Sequence, residues 1–158
     1  MNPLRVARLT ISDRAHQGVY EDKGGPELER VFFKEWNSPL LWLPLIVPDE
    51  KEEISNALKA WINQKVPLIL TTGGTGPAPR DITPEATLAV LEKQLPGLSE
   101  AQRLTSFSLA PTSILSRAVA GVAGQSLIIN FPGNPKAIAE CLPPLLPAIR
   151  ECLKHLTE

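Results

Sequence analysis

Histidine and cysteine are scarce in this chain, which carries two of each. His16 falls in a turn-rich stretch and His155 near the end of a helical tail. No Ser-His-Asp or Cys-His set stands out, which argues against a hydrolase built on a histidine base. Cys141 and Cys152 lie in the C-terminal helical region, their spacing matches no zinc pattern, and nothing demands a bridge. No charge of one sign dominates: 16 Lys and Arg stand against 17 Asp and Glu, a formal net charge of -1. That balance excludes a basic protein coating nucleic acid. Long apolar runs are missing as well. The longest, between Pro39 and Pro48, is about half the ~20 residues a membrane-spanning helix needs, and Met1-Asn2-Pro3-Leu4-Arg5 opens no secretory signal. We therefore expect a soluble protein of the reducing cytoplasm, with no membrane and no nucleic-acid partner.

What is present describes a globular chain. The apolar fraction is 43% over 158 residues, enough to exclude disorder and close to the size of one domain of about 100–150 residues. The 16 prolines punctuate turns and helix ends, without a repeat. Trp36, Trp42 and Trp61 read as core or interface. A first buried strand runs from Leu4 to Ser12, and Gly24-Gly25-Pro26 opens a helix whose proline suits the first turn. Leu40 to Val47 is a second strand, edge or bulged because of Pro44. Asp49 then caps a helix, with Glu52 at the capping-box position. Ile54, Leu58, Trp61 and Ile62 form one apolar stripe. Val66 to Leu70 is a buried strand. Thr83 starts a helix that carries Leu88, Leu91 and Leu95 and stops at Pro96-Gly97, and another helix runs from Leu98 to Ser108. Arg117 to Val122 and Ser126 to Phe131 are strands, and the tail from Lys136 is helical with a break at Pro143-Pro144. Strands alternating with helices predict an α/β fold of one domain, residues 1–158, with a mostly parallel sheet covered on both faces and one late antiparallel member.

In such sheets ligands bind beyond the carboxyl ends of the strands, and four polar or glycine-rich segments fall there. Thr71-Thr72-Gly73-Gly74-Thr75-Gly76 is the strongest. Its glycines allow positive φ and close backbone approach, successive N–H groups make an anion nest, and Thr72 and Thr75 add hydroxyls. It is not a Walker A loop, and a tight strand-to-loop turn is the competing reading. Asp49 reads either as a helix cap or, with Asp81, as one of two carboxylates beside a phosphate nest. Such a pair suits Mg2+, which would offset charge in displacement at phosphorus. For Asp81 the alternative is a surface pair with Arg80. Ser12-Asp13-Arg14 is an Asx turn or a hydroxyl and charged pair facing a ligand. Pro132-Gly133-Asn134-Pro135 is a turn, or a place where Gly133 lets a ligand approach and Lys136 neutralises phosphate. By composition alone Ser106 and Ser116 carry no role.

Five segments occur in order: Ile11-Ser12-Asp13-Arg14, Gly18-Val19-Tyr20-Glu21-Asp22-Lys23-Gly24, Thr72 to Pro77, Arg80 to Thr87, and Phe131 to Pro135. Together they resemble the molybdopterin adenylyltransferases, the bacterial MogA type and the matching domains of plant Cnx and animal gephyrin. The resemblance spans nearly the whole chain, except that residues 32–45 match poorly. It implies a three-layer α/β/α sandwich, the molybdopterin-binding fold, and a homotrimer. It also implies joining of molybdopterin and ATP with Mg2+ to give adenylyl-molybdopterin and pyrophosphate, and a transient contact with the molybdate-inserting enzyme that uses the product.

The resemblance further implies residue roles. Asp49 and Asp81 are the acids essential to adenylyl transfer and the metal ligands. Thr72, Gly73, Gly74, Thr75, Gly76, Gly133 and Asn134 bind phosphate and nucleotide, while Ser12, Asp13, Ser106 and Ser116 line the pterin end. Two alternatives stand beside this reading. One is a non-catalytic molybdopterin carrier or scaffold, which two bare carboxylates do not favour. The other is a molybdate-inserting enzyme, a family of longer, multidomain chains.

Overall fold

A computed structural model describes residues 2–158. At its centre is a six-stranded sheet in the order β2-β1-β3-β6-β5-β4. The strands are β1 (Leu4–Ile11), β2 (Leu40–Val47), β3 (Leu68–Thr72), β4 (Lys93–Gln94), β5 (Ala120–Ala123) and β6 (Ser126–Phe131). The first four in that order are parallel, and β5 runs antiparallel to both its neighbours. The helices are α1 (Asp13–His16), α2 (Gly24–Trp36), α3 (Lys51–Asn63), α4 (Thr83–Leu88), α5 (Pro96–Phe107), α6 (Pro135–Cys141) and α7 (Leu146–His155).

Strand side chains alternate between two faces, and each face builds its own core. Val6, Leu68, Leu70, Leu127 and Ile129 pack against Leu28, Phe32, Ile138, Leu146 and Ile149 from α2, α6 and α7. Ala7, Leu9, Ile69 and Ile128 pack against Ile54, Leu58, Trp61 and Ala86 from α3 and α4. The result is the expected three-layer α/β/α sandwich. Near-continuous apolar strands are what burial on both faces requires. In the first of these cores, Phe32 stacks on Trp36 at 4.8 Å between ring centroids and meets Trp42 of β2 edge-on at 5.8 Å. Arg150 lies 4.0 Å over the Trp36 ring, tying α7 to the same cluster.

The topology places the site. From β1 the chain crosses to β2 on one side, then returns to β3 on the other. The strand order therefore reverses between β1 and β3, and the crevice at their carboxyl ends is where this architecture takes ligands. Ser12 directly follows β1 and Thr72 ends β3 at that crevice.

As expected, Leu40–Val47 is an edge strand, where Pro44 is tolerated. Other elements differ from the sequence reading, each for a tertiary reason. The third strand lies two residues later than Val66 to Leu70, and the fifth starts at Ala120 because Arg117 bonds to loop carbonyls instead. The helix from Thr83 ends at Leu88 rather than near Leu95. Glu92 N–H donates to Val122 O at 2.9 Å and Leu95 N–H to Ala120 O at 2.8 Å, so the sheet edge captures a segment with helical spacing. Pro96 then opens α5 itself, at the first turn where it needs no N–H donor. Asp49 does not cap α3. The cap position is Glu50, with no side-chain cap bond, because the Asp49 carboxylate is committed elsewhere.

Phe32→Ala should lower stability by about 3–5 kcal/mol, the usual cost of emptying a buried aromatic site. Denaturant unfolding followed by tryptophan emission checks this, since Trp36 and Trp42 both report on the cluster.

Candidate active site

The loop after β3 has the geometry of an anion nest. Gly73 and Gly74 take φ of 97° and 67°, the left-handed region that side chains rarely adopt. A Cβ on Gly73 would lie 2.4 Å from Ile11 O, and one on Gly74 2.2 Å from Thr83 Oγ1. Gly76 lacks positive φ, although a Cβ there would sit 2.8 Å from Asp81 Oδ2. Gly73 N–H donates to Phe131 O at 3.1 Å, and Thr83 anchors the far side through its N–H to Gly74 O and its hydroxyl to Gly73 O. Among the described residues no backbone carbonyl takes the N–H groups of Gly74, Thr75 or Gly76. Thr72 is not a free donor: its hydroxyl donates to Pro132 O at 2.7 Å, which locks this loop to the one after β6.

The two acids come together beside the loop, as expected. Asp49 and Asp81 line one cavity of 270 Å3 with Ser12, Thr72, Gly73, Gly74 and Gly133. Asp49 is held by a reciprocal pair: Asp13 N–H donates to its Oδ2 at 2.9 Å, and its own N–H donates to Asp13 Oδ1 at 3.0 Å. Arg80 donates to both Asp13 oxygens and to Glu50. Arg80 therefore pairs with Asp13 and Glu50, not with Asp81. Asp81 accepts the Ala78 N–H at 3.0 Å. Its backbone carbonyl accepts from Arg117, which also donates to Gly76 O and pairs with Glu85. Arg117 thus staples both ends of the loop between nest and acid.

These surroundings drive the two neighbouring carboxyls apart. The Arg80 guanidinium holds Asp13 below the usual carboxylate range. Burial pushes Asp49 up, and the nearby charges of Asp13 and Asp81 push the same way. A half-buried carboxylate facing two like charges is a place where a cation is favourable.

A second cavity, also 270 Å3, opens on the other side of the loop. It is lined by Thr75, Gly76, Gln102, Arg103, Ser106, Ser116 and Asn134 among others. The nest and the loop after β6 form a ridge between the two: Thr72, Gly73, Gly74 and Gly133 face the acids, while Thr75, Gly76, Pro132 and Asn134 face the serines. Ser106 and Ser116 come together as expected. Ser12 does not join them: it lies in the acidic cavity and its hydroxyl caps α1 through Ala15 N–H. Asp13 lines neither cavity and instead orients Asp49. The Asn134 side chain caps α6 by accepting from Lys136 N–H at 2.9 Å, and Lys136 itself lines neither cavity.

Gln102, Arg103, Tyr20 and Lys23 are among the lining residues that carried no role in the sequence reading. Gln102 and Arg103 precede Ser106 on α5. The four-residue spacing of Gln102 and Ser106 puts them on one helix face, a polar pair that could have been noticed. Arg103 is fixed by donating to Ser116 O and Ala118 O. Gln102 donates to Asn130 O, and buried Asn130 bonds to Thr71 and Thr87. Tyr20 and Lys23 line the acidic cavity from a segment quoted only for its resemblance.

Residues 7–151 match the model of the probable molybdopterin binding domain. The chain belongs to this family. It is 47% identical over 154 residues to the molybdopterin adenylyltransferase of Helicobacter pylori (strain ATCC 700392 / 26695), covering 97% of this chain and 88% of the relative. It is 46% identical over 143 residues to the molybdopterin adenylyltransferase of Escherichia coli (strain K12), covering 90% and 73%. A solved structure of MogA superposes with a TM-score of 0.89 at 38% identity, covering 96% of this chain and 99% of that one. The alternation of strands and helices and the order of the loop motifs had pointed to this family and fold.

Asp49→Asn should stabilise the metal-free protein at neutral pH. The wild-type carboxyl titrates higher folded than unfolded, so its charge costs stability above the folded pKa. The gain from the substitution should be full there, shrink as pH falls, and vanish below the unfolded value near 3.8. Thermal melts from pH 3.5 to 7.5 measure it.

Proposed function

We propose that this chain is a molybdopterin adenylyltransferase of molybdenum cofactor biosynthesis, acting as one domain over residues 1–158. The observation that carries the reading is the ridge. A phosphate nest separates an acidic cavity from a serine-lined one, which suits a reaction joining two molecules through their phosphates. The pterin occupies the cavity of Ser106, Ser116 and Arg103. ATP occupies the cavity of Asp49, Asp81 and Ser12. The phosphates lie along Thr72, Gly73, Gly74, Thr75 and Gly76, with Gly133 and Asn134 opposite.

The terminal phosphate oxygen of molybdopterin attacks the α-phosphorus of ATP and forms a P–O–P bond. The bond from that phosphorus to the bridging oxygen breaks, and pyrophosphate leaves with the electron pair. A phosphate monoester is already largely ionised near neutral pH, since its second pKa is about 6. No strong general base is required, and neither histidine lines either cavity. The backbone N–H groups of the nest stabilise charge that develops on the phosphoryl oxygens. Asp13 and Arg80 hold Asp49 in place, and Arg117 holds Asp81.

The acids fit Mg2+. Among the described residues no group of three or more His, Cys, Asp or Glu side chains is arranged to hold a metal, whereas two carboxylates completed by substrate phosphates and water are the usual Mg2+ arrangement. Asp49 and Asp81 would hold the ion, which when bound supplies positive charge to the phosphate oxygens.

Two further features belong to this reading. No described helix is long and apolar enough to cross a membrane, and both cysteines are free, in keeping with a reducing cytoplasm. The protein assembles as a homotrimer, as the resemblance implies. Leu104, Phe107, Leu109, Ile114 and Leu115 are exposed along the end of α5 and the turn after it, an apolar surface that assembly would cover. Sedimentation equilibrium should give three times the 17.2 kDa chain mass, and Leu104→Lys should shift it toward monomer.

Activity is tested by pyrophosphate release from Mg-ATP with and without molybdopterin. The wild type should release it only with the pterin. Asp81→Asn should lose about 10²–10³-fold of the rate, the usual scale for removing one transition-state electrostatic contact. Tight pterin binding without release would favour the carrier reading.

A further inference from the structure

The segment from Gly18 to Gly24 runs along the acidic cavity, and its chemistry is concentrated at Lys23. Of the residues lining that cavity, Lys23 is the sole cation, and the lining also holds Asp22, Asp49 and Asp81. Three arginines near it are engaged, and Arg14, between Ser12 and Ala15, is exposed and does not line the cavity. Arg8 pairs with Asp22 and Glu29, Arg80 with Asp13 and Glu50, and Arg117 with Glu85. Among the described residues Lys23 takes part in no ion pair, and its side chain is exposed.

The backbone carrying it is fixed. On one side, the Asp22 carboxylate accepts from Arg8, from the Thr10 hydroxyl at 2.8 Å and from Gly25 N–H at 3.0 Å. On the other, Gly24 is pressed against the phosphate loop, where a Cβ would lie 2.7 Å from Thr72 Oγ1. A free ammonium is thus mounted on a rigid segment that touches the nest itself.

We propose that Lys23 binds the β- and γ-phosphates of ATP and stabilises the departing pyrophosphate. The inference rests on the adenylyl-transfer reading. When the bond to the α-phosphorus breaks, the leaving oxygen gains charge on the β-phosphate. In a cavity where all other lining charges are carboxylates, the protein's own counter-charge comes from Lys23. The ammonium acts as a compact point charge, the usual role of lysine at phosphates.

The test is calorimetric binding of inorganic pyrophosphate and of AMP, each with Mg2+, to the wild type, Lys23→Gln, Lys23→Arg and Lys34→Gln. Lys34 is exposed near the end of α2 and controls for net charge. Lys23 precedes α2 without a side-chain cap bond, so its substitution removes no helix contact. Lys23→Gln is expected to weaken pyrophosphate at least about tenfold, the scale of one charged hydrogen bond. AMP should change less than about twofold, Lys23→Arg should recover most of the affinity, and Lys34→Gln should behave as wild type. Equal pyrophosphate affinity in Lys23→Gln and wild type overturns the proposal, as does an equal loss for AMP and pyrophosphate. A wild type that binds neither pyrophosphate nor Mg-ATP overturns the adenylyl-transfer reading along with it.

Discussion

Close backbone contact at the carboxyl end of the sheet is the constraint on which the rest of the site depends. The turn after β3 passes so near the end of β1 that residue 73 has no room for a side chain, and the start of α2 meets Thr72 equally closely. The Thr72 hydroxyl and the Gly73 N–H then tie the same turn to the loop after β6. Three loops and a helix start are thereby packed around one nest of N–H groups. Pre-positioned donors of this kind favour developing negative charge without reorganising when it appears.

The charged groups around the nest are arranged with equal economy. Three arginines beside it are committed to acids or carbonyls that shape a loop: Arg8 holds Asp22, Arg80 holds Asp13, and Arg117 spans Gly76 to Asp81. Asp49 is left with a raised affinity for protons and no cation of its own. A folded protein keeps such a group at a cost to stability, and the sites where it does so are characteristically functional. On the proposed adenylyl-transfer reading, the same carboxyl that would be best neutralised for folding is the one that meets a cation and the phosphates it accompanies.

Much of this could be read from the chain, and what could not was long-range. Alternating strands and helices, the glycine cluster after a buried strand and acids at strand ends were local signals, and of the residues they singled out, Asp49, Asp81, Gly73 and Gly74 do line one cavity. The bond between Asp13 and Asp49 joins positions far apart in sequence, and no local pattern distinguishes it from the helix cap that Asp49 was expected to be. The short strand at Lys93 was hidden for a similar reason, since helical spacing there yields to the free edge of β5. The ridge between the two cavities is set by how the loops after β3 and β6 interlock, so the separation of Ser12 from Ser106 and Ser116 was invisible. The five motifs supplied the pterin and the nucleotide through resemblance, which composition and spacing alone do not.

The central claim is that the ridge from Thr72 to Gly76 carries the phosphates between two separate cavities. A crystal structure with molybdopterin and an ATP analogue whose α,β-bridge is a methylene group tests it most directly. The account predicts the pterin beside Ser106 and Ser116, the adenosine beside Asp49 and Asp81, and the α-phosphorus at the N–H groups of Gly74 to Gly76. Both molecules in one cavity, or phosphates lying away from those N–H groups, would contradict it.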